Sequence, residues 1–391
     1  MLNRPPDERE MMDAFKPLLG SKFPKAGVAP AGSHRFVVMI MRIRGVVLPE
    51  REERTFWVDG ERLRTEPPAG AAAKQVETVV DGGWLLPGLV DVHTHPGAES
   101  PDDRFDEAVL RRHLSEHRDA GVLLVRTPGT AERMPGWVDT EPELPRVRSA
   151  GQWLATPGRF FPGAGRDVGE HELAGAAVEE AAASSGWCKV IGDWRWDEPA
   201  VPLDVLKETV DAVHAVGGRV AVHCQTGEGS RNAVLAGADS LEHGMHLDPQ
   251  LLDLMAGQGT AYIPTLSAFA ESAEVWRGRE SSAKRSNWLL GWQGMIDNVR
   301  LAYEAGVTVL AGTDTFPCGT VATESQWLVR AGMPAEEALG AASWTARDWL
   351  GLPGLIDGAP ADLVAYDRDP AAEPEVLGRP KRVILRGRVM R

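Results

Sequence analysis

Two histidines one residue apart close the segment GLVDVHTHPG, residues 88–97. Side chains in a strand alternate between faces, so Asp91, His93 and His95 are expected to point the same way, and two imidazoles side by side at a strand end have the form of a chelate. Residues of the same kind recur at the ends of other strand-like runs: His223 in AVHCQT, His243 in SLEHG and Asp314 in AGTDT. Neutral imidazole and carboxylate are the ligands that Zn²⁺ and similar divalent ions take. Ligands this far apart in the chain converge only if the strands that carry them close on one another.

The elements that would do this are legible as an alternation. GLVDVHTH, GVLLVRT, SAGQWLAT, WCKVIGD, RVAVHCQT, DSLEHG, AYIPTL and TVLAGTD read as strands, with helical stretches such as DDRFDEAVLRRHLSEHRDA and LDVLKETVDAVHAVG between them. Repeated βα units predict an α/β fold, a TIM (β/α)8 barrel, whose chemistry sits where the strands end. Short β segments at both ends of the chain, one of them with an Asp59-Gly60 turn, predict one small sheet assembled from both termini.

Composition narrows the function classes. A chain of 391 residues, 43% of them hydrophobic, can bury a large core, and a formal net charge of -14 argues against a nucleic-acid or anionic membrane surface. No apolar run is long enough to span a bilayer, and no secretory signal is read at the N-terminus. Three cysteines are too few for a disulfide framework and suit a reducing, cytoplasmic setting. A small-molecule substrate is expected, with homo-oligomerisation left open.

These residues resemble the amidohydrolase superfamily. PGLVDVHTHPG looks like its first strand, His223, His243 and Asp314 stand where its later ligands belong, and LEHG and AGTD are similar to the imidazolonepropionase-like and prolidase-like dipeptidase branch. GLIDGAPADLVAYDRDP and RVILRGRV resemble the family's closing β-sandwich segments. Residues 1–40 mix prolines, glycines and charges without sustained periodicity and are read as an irregular tail. The resemblance covers about residues 41–391 and implies a β-sandwich domain from 41–84 plus 353–391 and a barrel over 85–352. It further implies a hydrolase that cuts a carbon–nitrogen bond in an amide, cyclic amide or dipeptide with a metal-activated hydroxide. His93, His95 and Asp314 would hold one divalent ion, Zn²⁺ by preference, and His223 and His243 a second. Lys189 in WCKVIGDW would be carboxylated and bridge them, and Asp314 would act as general base and acid. With Lys189 uncarboxylated, the alternative is a mononuclear imidazolonepropionase- or deaminase-like hydrolase with one ion per chain. A non-catalytic metal-binding or interaction protein is the reading from another class. One departure is plain: relatives with His-x-His on the fifth strand have a second imidazole where this chain has Gln225.

Other residues are weighed beside these. Arg126, at the end of the second strand, is a candidate for a substrate carboxylate; Trp194 is a candidate pocket wall, and His246 a candidate substrate contact. Cys188 and Cys224 alternate with the inward residues and are read as core, and Cys318 as a loop thiol. His113 and His117, flanked by arginines, are expected on a solvated helix face.

Overall fold

The computed structural model describes residues 40–68, 76–100 and 103–391. The expected tail, up to residue 39, lies outside the described residues, and Ile40 is already part of a strand. The N-terminal strands are β1 (Ile40–Val47), β2 (Glu52–Asp59), β3 (Arg62–Arg64) and β4 (Val76–Pro87). Between β2 and β3, Gly60 takes φ 61°, the left-handed turn that Asp-Gly favours.

The middle of the chain alternates as expected. Its strands are β5 (Leu89–Asp91), β6 (Val122–Thr127), β7 (Arg146–Ser149), β8 (Trp153–Ala155), β9 (Arg166–Asp167), β10 (Trp187–Ile191), β11 (Arg219–Cys224), β12 (Ser240–His243) and β13 (Ala261–Ile263). The chain closes with β14 (Leu363–Tyr366), β15 (Arg382–Leu385) and β16 (Arg388–Val389).

Both termini contribute to one sheet, in the order β16-β15-β14-β4-β1-β2-β3. It is a single mixed sheet of seven strands, and a second sheet facing it, which a sandwich needs, is not found among the described residues. Its own apolar cluster includes Ile43, Phe56, Leu63, Leu85 and Ile384.

The middle strands pair in parallel as β5-β6-β7 and as β13-β12-β11-β10-β8-β9. A parallel bridge between Thr130 and Gln152 links the first group to the second. TVLAGTD forms no named strand; it is held by a parallel bridge from Val309 to Tyr262, and Val92 N–H donates to Ala311 O at 3.0 Å. Backbone hydrogen bonds thus join the segment around Val309 both to β13 and to the residues just past β5.

Helices pack against these strands through apolar faces. In helix Leu203–Ala215 the buried positions are Leu206, Thr209, Val210 and Val213, the 3.6-residue period of a helix with one face on a core. Cys188, Val190, Val220, Val222 and Cys224 belong to the core shared with these helices, so the two cysteines are core residues as expected. Each fully buried Val or Leu there contributes about 1.5–3 kcal/mol over exposure. Lys189, between Cys188 and Val190, faces the other way. Among the described residues no helix is long and apolar enough to cross a membrane.

Candidate metal centre

Strand β5 ends at Asp91, so His93 and His95 stand in the segment just past it rather than inside it. Asp91 fixes that segment. Its Oδ1 accepts the N–H groups of His93 and Thr313, each at 3.1 Å, and its Oδ2 accepts the Thr313 hydroxyl at 2.7 Å. Asp314 N–H then donates to His93 O at 2.8 Å. One buried carboxylate therefore ties the first ligand-type segment to the last.

His93 Nε2 and His95 Nε2 lie 3.2 Å apart, and Asp314 Oδ1 is 3.9 Å from the first and 3.3 Å from the second. The His243 ring centroid stands 4.9 Å from that of His93 and 4.7 Å from that of His223. Lys189 Nζ and His223 Nε2 are buried, with no hydrogen-bond partner among the described residues. The charge of Lys189 lowers the proton affinity of His93, His95, His223 and His243, so the amine is near enough to act on all four.

The other ring nitrogens are held from outside the centre. His93 Nδ1 donates to Glu242 Oε2 at 2.6 Å, His95 Nδ1 to Gly129 O at 2.7 Å, and His243 Nδ1 meets Thr265 Oγ1 at 2.8 Å. The acceptor-only partners of His93 and His95 place the proton on Nδ1 and leave each Nε2 lone pair free, while the Thr265 hydroxyl orients the His243 ring. Burial, with Lys189 next in strength, pushes His95 and His223 down to about 3, and burial also holds His93 and His243 well below the usual imidazole range. All four rings are therefore neutral, the state in which imidazole binds a metal. Two lone pairs facing each other, a carboxylate beside them and an unpartnered buried imidazole form a donor set that fits a divalent cation.

The family model described as the amidohydrolase family matches residues 84–390. The chain belongs to the amidohydrolase family. It is thereby a hydrolase of carbon–nitrogen bonds. This amidohydrolase is 41% identical to an uncharacterised protein of Mycobacterium tuberculosis over 364 residues, covering 89% of this chain and 95% of that one. It is 34% identical to ochratoxinase of Aspergillus niger over 191 residues, covering 46% of this chain and 38% of that one. A solved Xaa-Pro dipeptidase with methionine bound in its active site superposes at a TM-score of 0.76 with 24% identity, over 90% of this chain and 99% of that one. That likeness supports a TIM-barrel-like α/β fold.

Arg126 of this amidohydrolase is not a surface carboxylate receptor. It is fully buried, donates from Nη1 to Val92 O at 2.7 Å and from Nη2 to Glu242 Oε1 at 2.7 Å, and lies over the Trp187 ring at 4.5 Å. Its partner Glu242 is not among the residues expected from the sequence; the signal for it is the period-2 alternation of Ser240 and Glu242 in SLEHG. Alternation turns Ser240 and Glu242 inward, and His243 reaches the same interior only because it takes φ 66° at the strand end. Burial would raise Glu242, but Arg126, Lys189 and His93 overcome that and hold it well below the carboxylate range.

Trp194 is half-buried, and its ring lies 5.1 Å from Phe160 and 4.8 Å from Phe161. Phe160 in turn meets Trp153, which stands 5.1 Å from His95, so Trp194 connects to the centre through an aromatic row. His246 is half-buried beyond β12, its Nε2 unpartnered. His113 and His117 are not solvated: they are 2% and 0% exposed and face inward from helix Glu107–Asp119 with Leu110 and Leu114.

Proposed function

We propose that this amidohydrolase hydrolyses an amide-type bond in a small molecule, using two divalent cations in an eight-stranded (β/α)8 barrel whose eighth strand is the segment around Val309. The observation that carries the reading is the convergence of His93, His95 and Asp314, with donor atoms within 4.8 Å of one another, beside a buried Lys189 whose Nζ has no partner. A divalent cation there supplies Lewis acidity and a nucleophilic water near neutral pH. His93, His95 and Asp314 would hold one cation, and His223 and His243 would hold the other.

Lys189 joins the two. Burial lowers its affinity for a proton, so the neutral amine is accessible. Addition of CO₂ to Nζ, with loss of one proton, would turn Lys189 into an anionic carbamate, a carboxylate-type donor suited to divalent cations held here. Asp314, whose carboxyl burial raises, takes a proton from the attacking water and returns it to the leaving nitrogen. Gln225 cannot share that duty, since an amide does not take up a proton.

A cavity of about 510 Å³ is lined by Ser267, Trp292, Thr315, Phe316 and Trp327, among others; it reaches the residue after Asp314 but none of the ligand-type side chains themselves. The aromatic row from Trp153 to Trp194 bounds the centre past His95, and His246 and Trp194 are proposed as substrate contacts.

A mononuclear reading has one observation in its favour: the compact three-residue group of His93, His95 and Asp314 is sufficient to hold a single cation without Lys189. Both readings predict activity only with metal. Chelated and reloaded protein should be assayed against dipeptides, N-acyl amino acids, cyclic imides and lactams. Hydrolysis of at least one class on reloading, lost in His95→Ala, is the expected result. No hydrolysis of any class by metal-loaded protein would overturn the reading.

A further inference from the structure

We infer that a second cation site, distinct from the centre above, lies between helix Glu107–Asp119 and the loop that follows Asp314, formed by His113, Glu116 and Cys318. The donor atoms of these three residues lie within 4.8 Å of one another. None of them belongs to the proposed catalytic set, and the inference does not rest on that proposal.

The sequence pattern behind it is His113-x-x-Glu116-His117 on one helix. Residues three and four apart share a helix face, so all three side chains point toward the same neighbour. That neighbour is the loop at Cys318, whose N–H donates to Glu116 Oε2 at 3.2 Å. Gly319 makes the approach possible: it takes φ 83°, and a Cβ there would stand 2.7 Å from Glu116 O. Phe316 packs on the His113 ring with centroids 5.2 Å apart, which seats the loop over the helix.

Burial separates this cluster from an ordinary polar surface. His113 and Cys318 are 2% and 6% exposed, while the Glu116 side chain is 33% exposed and opens the cluster to solvent. His117 is fully buried one turn on, with Nδ1 unpartnered. Arg112 approaches the same groups, 3.3 Å from His113 Nε2 and 3.6 Å from Glu116 Oε1. Its side chain is half-exposed and also pairs with Glu99, so it can give way to a cation.

Nitrogen, carboxylate oxygen and sulfur together select a borderline-soft divalent ion such as Zn²⁺ or Co²⁺ over Mg²⁺ or Ca²⁺. On binding, a metal–sulfur bond forms, the Cys318 thiol proton leaves to solvent, and no electron changes hands. The site would clamp the loop carrying Asp314 to the helix. It is also wired to the centre: Thr94, between His93 and His95, has its Oγ1 3.2 Å from His117 Nε2 and 3.9 Å from Cys318 Sγ.

The test is titration of metal-free, full-length protein with Co²⁺ alone. Thiolate ligation gives a near-ultraviolet sulfur-to-cobalt charge-transfer band, which the centre of imidazoles and carboxylate cannot produce. The expected result is a band whose final intensity corresponds to one thiolate-bound cobalt per chain, lost in Cys318→Ser, reduced in His113→Gln and retained in His95→Ala. Wild-type protein that takes up Co²⁺ without such a band overturns the inference with no need of a variant. A band that survives in folded Cys318→Ser also overturns it.

Discussion

Glu242 Oε2 lies 2.6 Å from His93 Nδ1 while Glu242 Oε1 lies 2.7 Å from Arg126 Nη2, so one fully buried carboxylate is shared by a ligand-type histidine and a buried guanidinium. Removing its charge strands Arg126 in the interior. Glu242→Gln should therefore lose about 3–5 kcal/mol of stability, the usual cost of breaking a buried ion pair from one side. It should also weaken metal retention, because His93 loses its orienting acceptor. Denaturant unfolding and metal titration read the two effects, and a variant unchanged in both would refute the role given to Glu242.

Thr265 offers a case in which stability and metal affinity move in opposite directions. It sits at φ 50°, in the left-handed region that a β-branched residue avoids, yet its hydroxyl is 2.8 Å from His243 Nδ1. Glu324 holds the turn by accepting the Leu266 N–H at 2.8 Å and the Ser267 N–H at 2.7 Å. Thr265→Gly relieves strain of about 1–3 kcal/mol. The same change should cut metal affinity about tenfold to a hundredfold by freeing the His243 ring. Equal metal affinity in the two proteins would show that the hydroxyl does not orient His243.

Asp314→Asn should remain folded and keep metal while turnover falls by about 10²-fold or more, since the amide oxygen can coordinate but the group cannot carry a proton. His95→Ala should lose metal as well as turnover. Metal content beside kcat separates the two, and near-normal kcat in metal-loaded Asp314→Asn would assign the proton transfer elsewhere.

The centre was legible where chemistry-bearing residues coincide with strand ends. His93, His95, His223 and Asp314 stand at or just past the ends of strand-like runs, so strand polarity carries them to one end, although His93 and His95 lie beyond β5 and Asp314 takes φ 50°. His243 was found for an incomplete reason: alternation turns Glu242 inward, and only the positive φ at His243 lets both residues face the interior. Backbone conformation of that kind leaves no clear mark in the residue types. Arg126 was misjudged because its charge suggested the rim, whereas its partner Glu242 comes from a strand more than a hundred residues away. His113 and His117 were misjudged because Arg111, Arg112 and Arg118 crowd the same helix, although Leu110, His113, Leu114 and His117 trace its buried stripe. The parallel alternation was plain. The shared terminal sheet was plain too, but its single-sheet strand order depends on long-range pairings such as that of β14 with β4.

The central claim is that Lys189 bridges two cations, and metal content per chain tests it most directly. It should be measured in the Cys318→Ser background, so that the cluster at His113 and Glu116 lacks its thiolate and does not add to the count. The account predicts about two metal ions per active chain, falling toward one when Lys189→Ala is added, with short carboxylates partly restoring activity by supplying the missing bridge. One ion per chain at full activity, unchanged by Lys189→Ala, would contradict it.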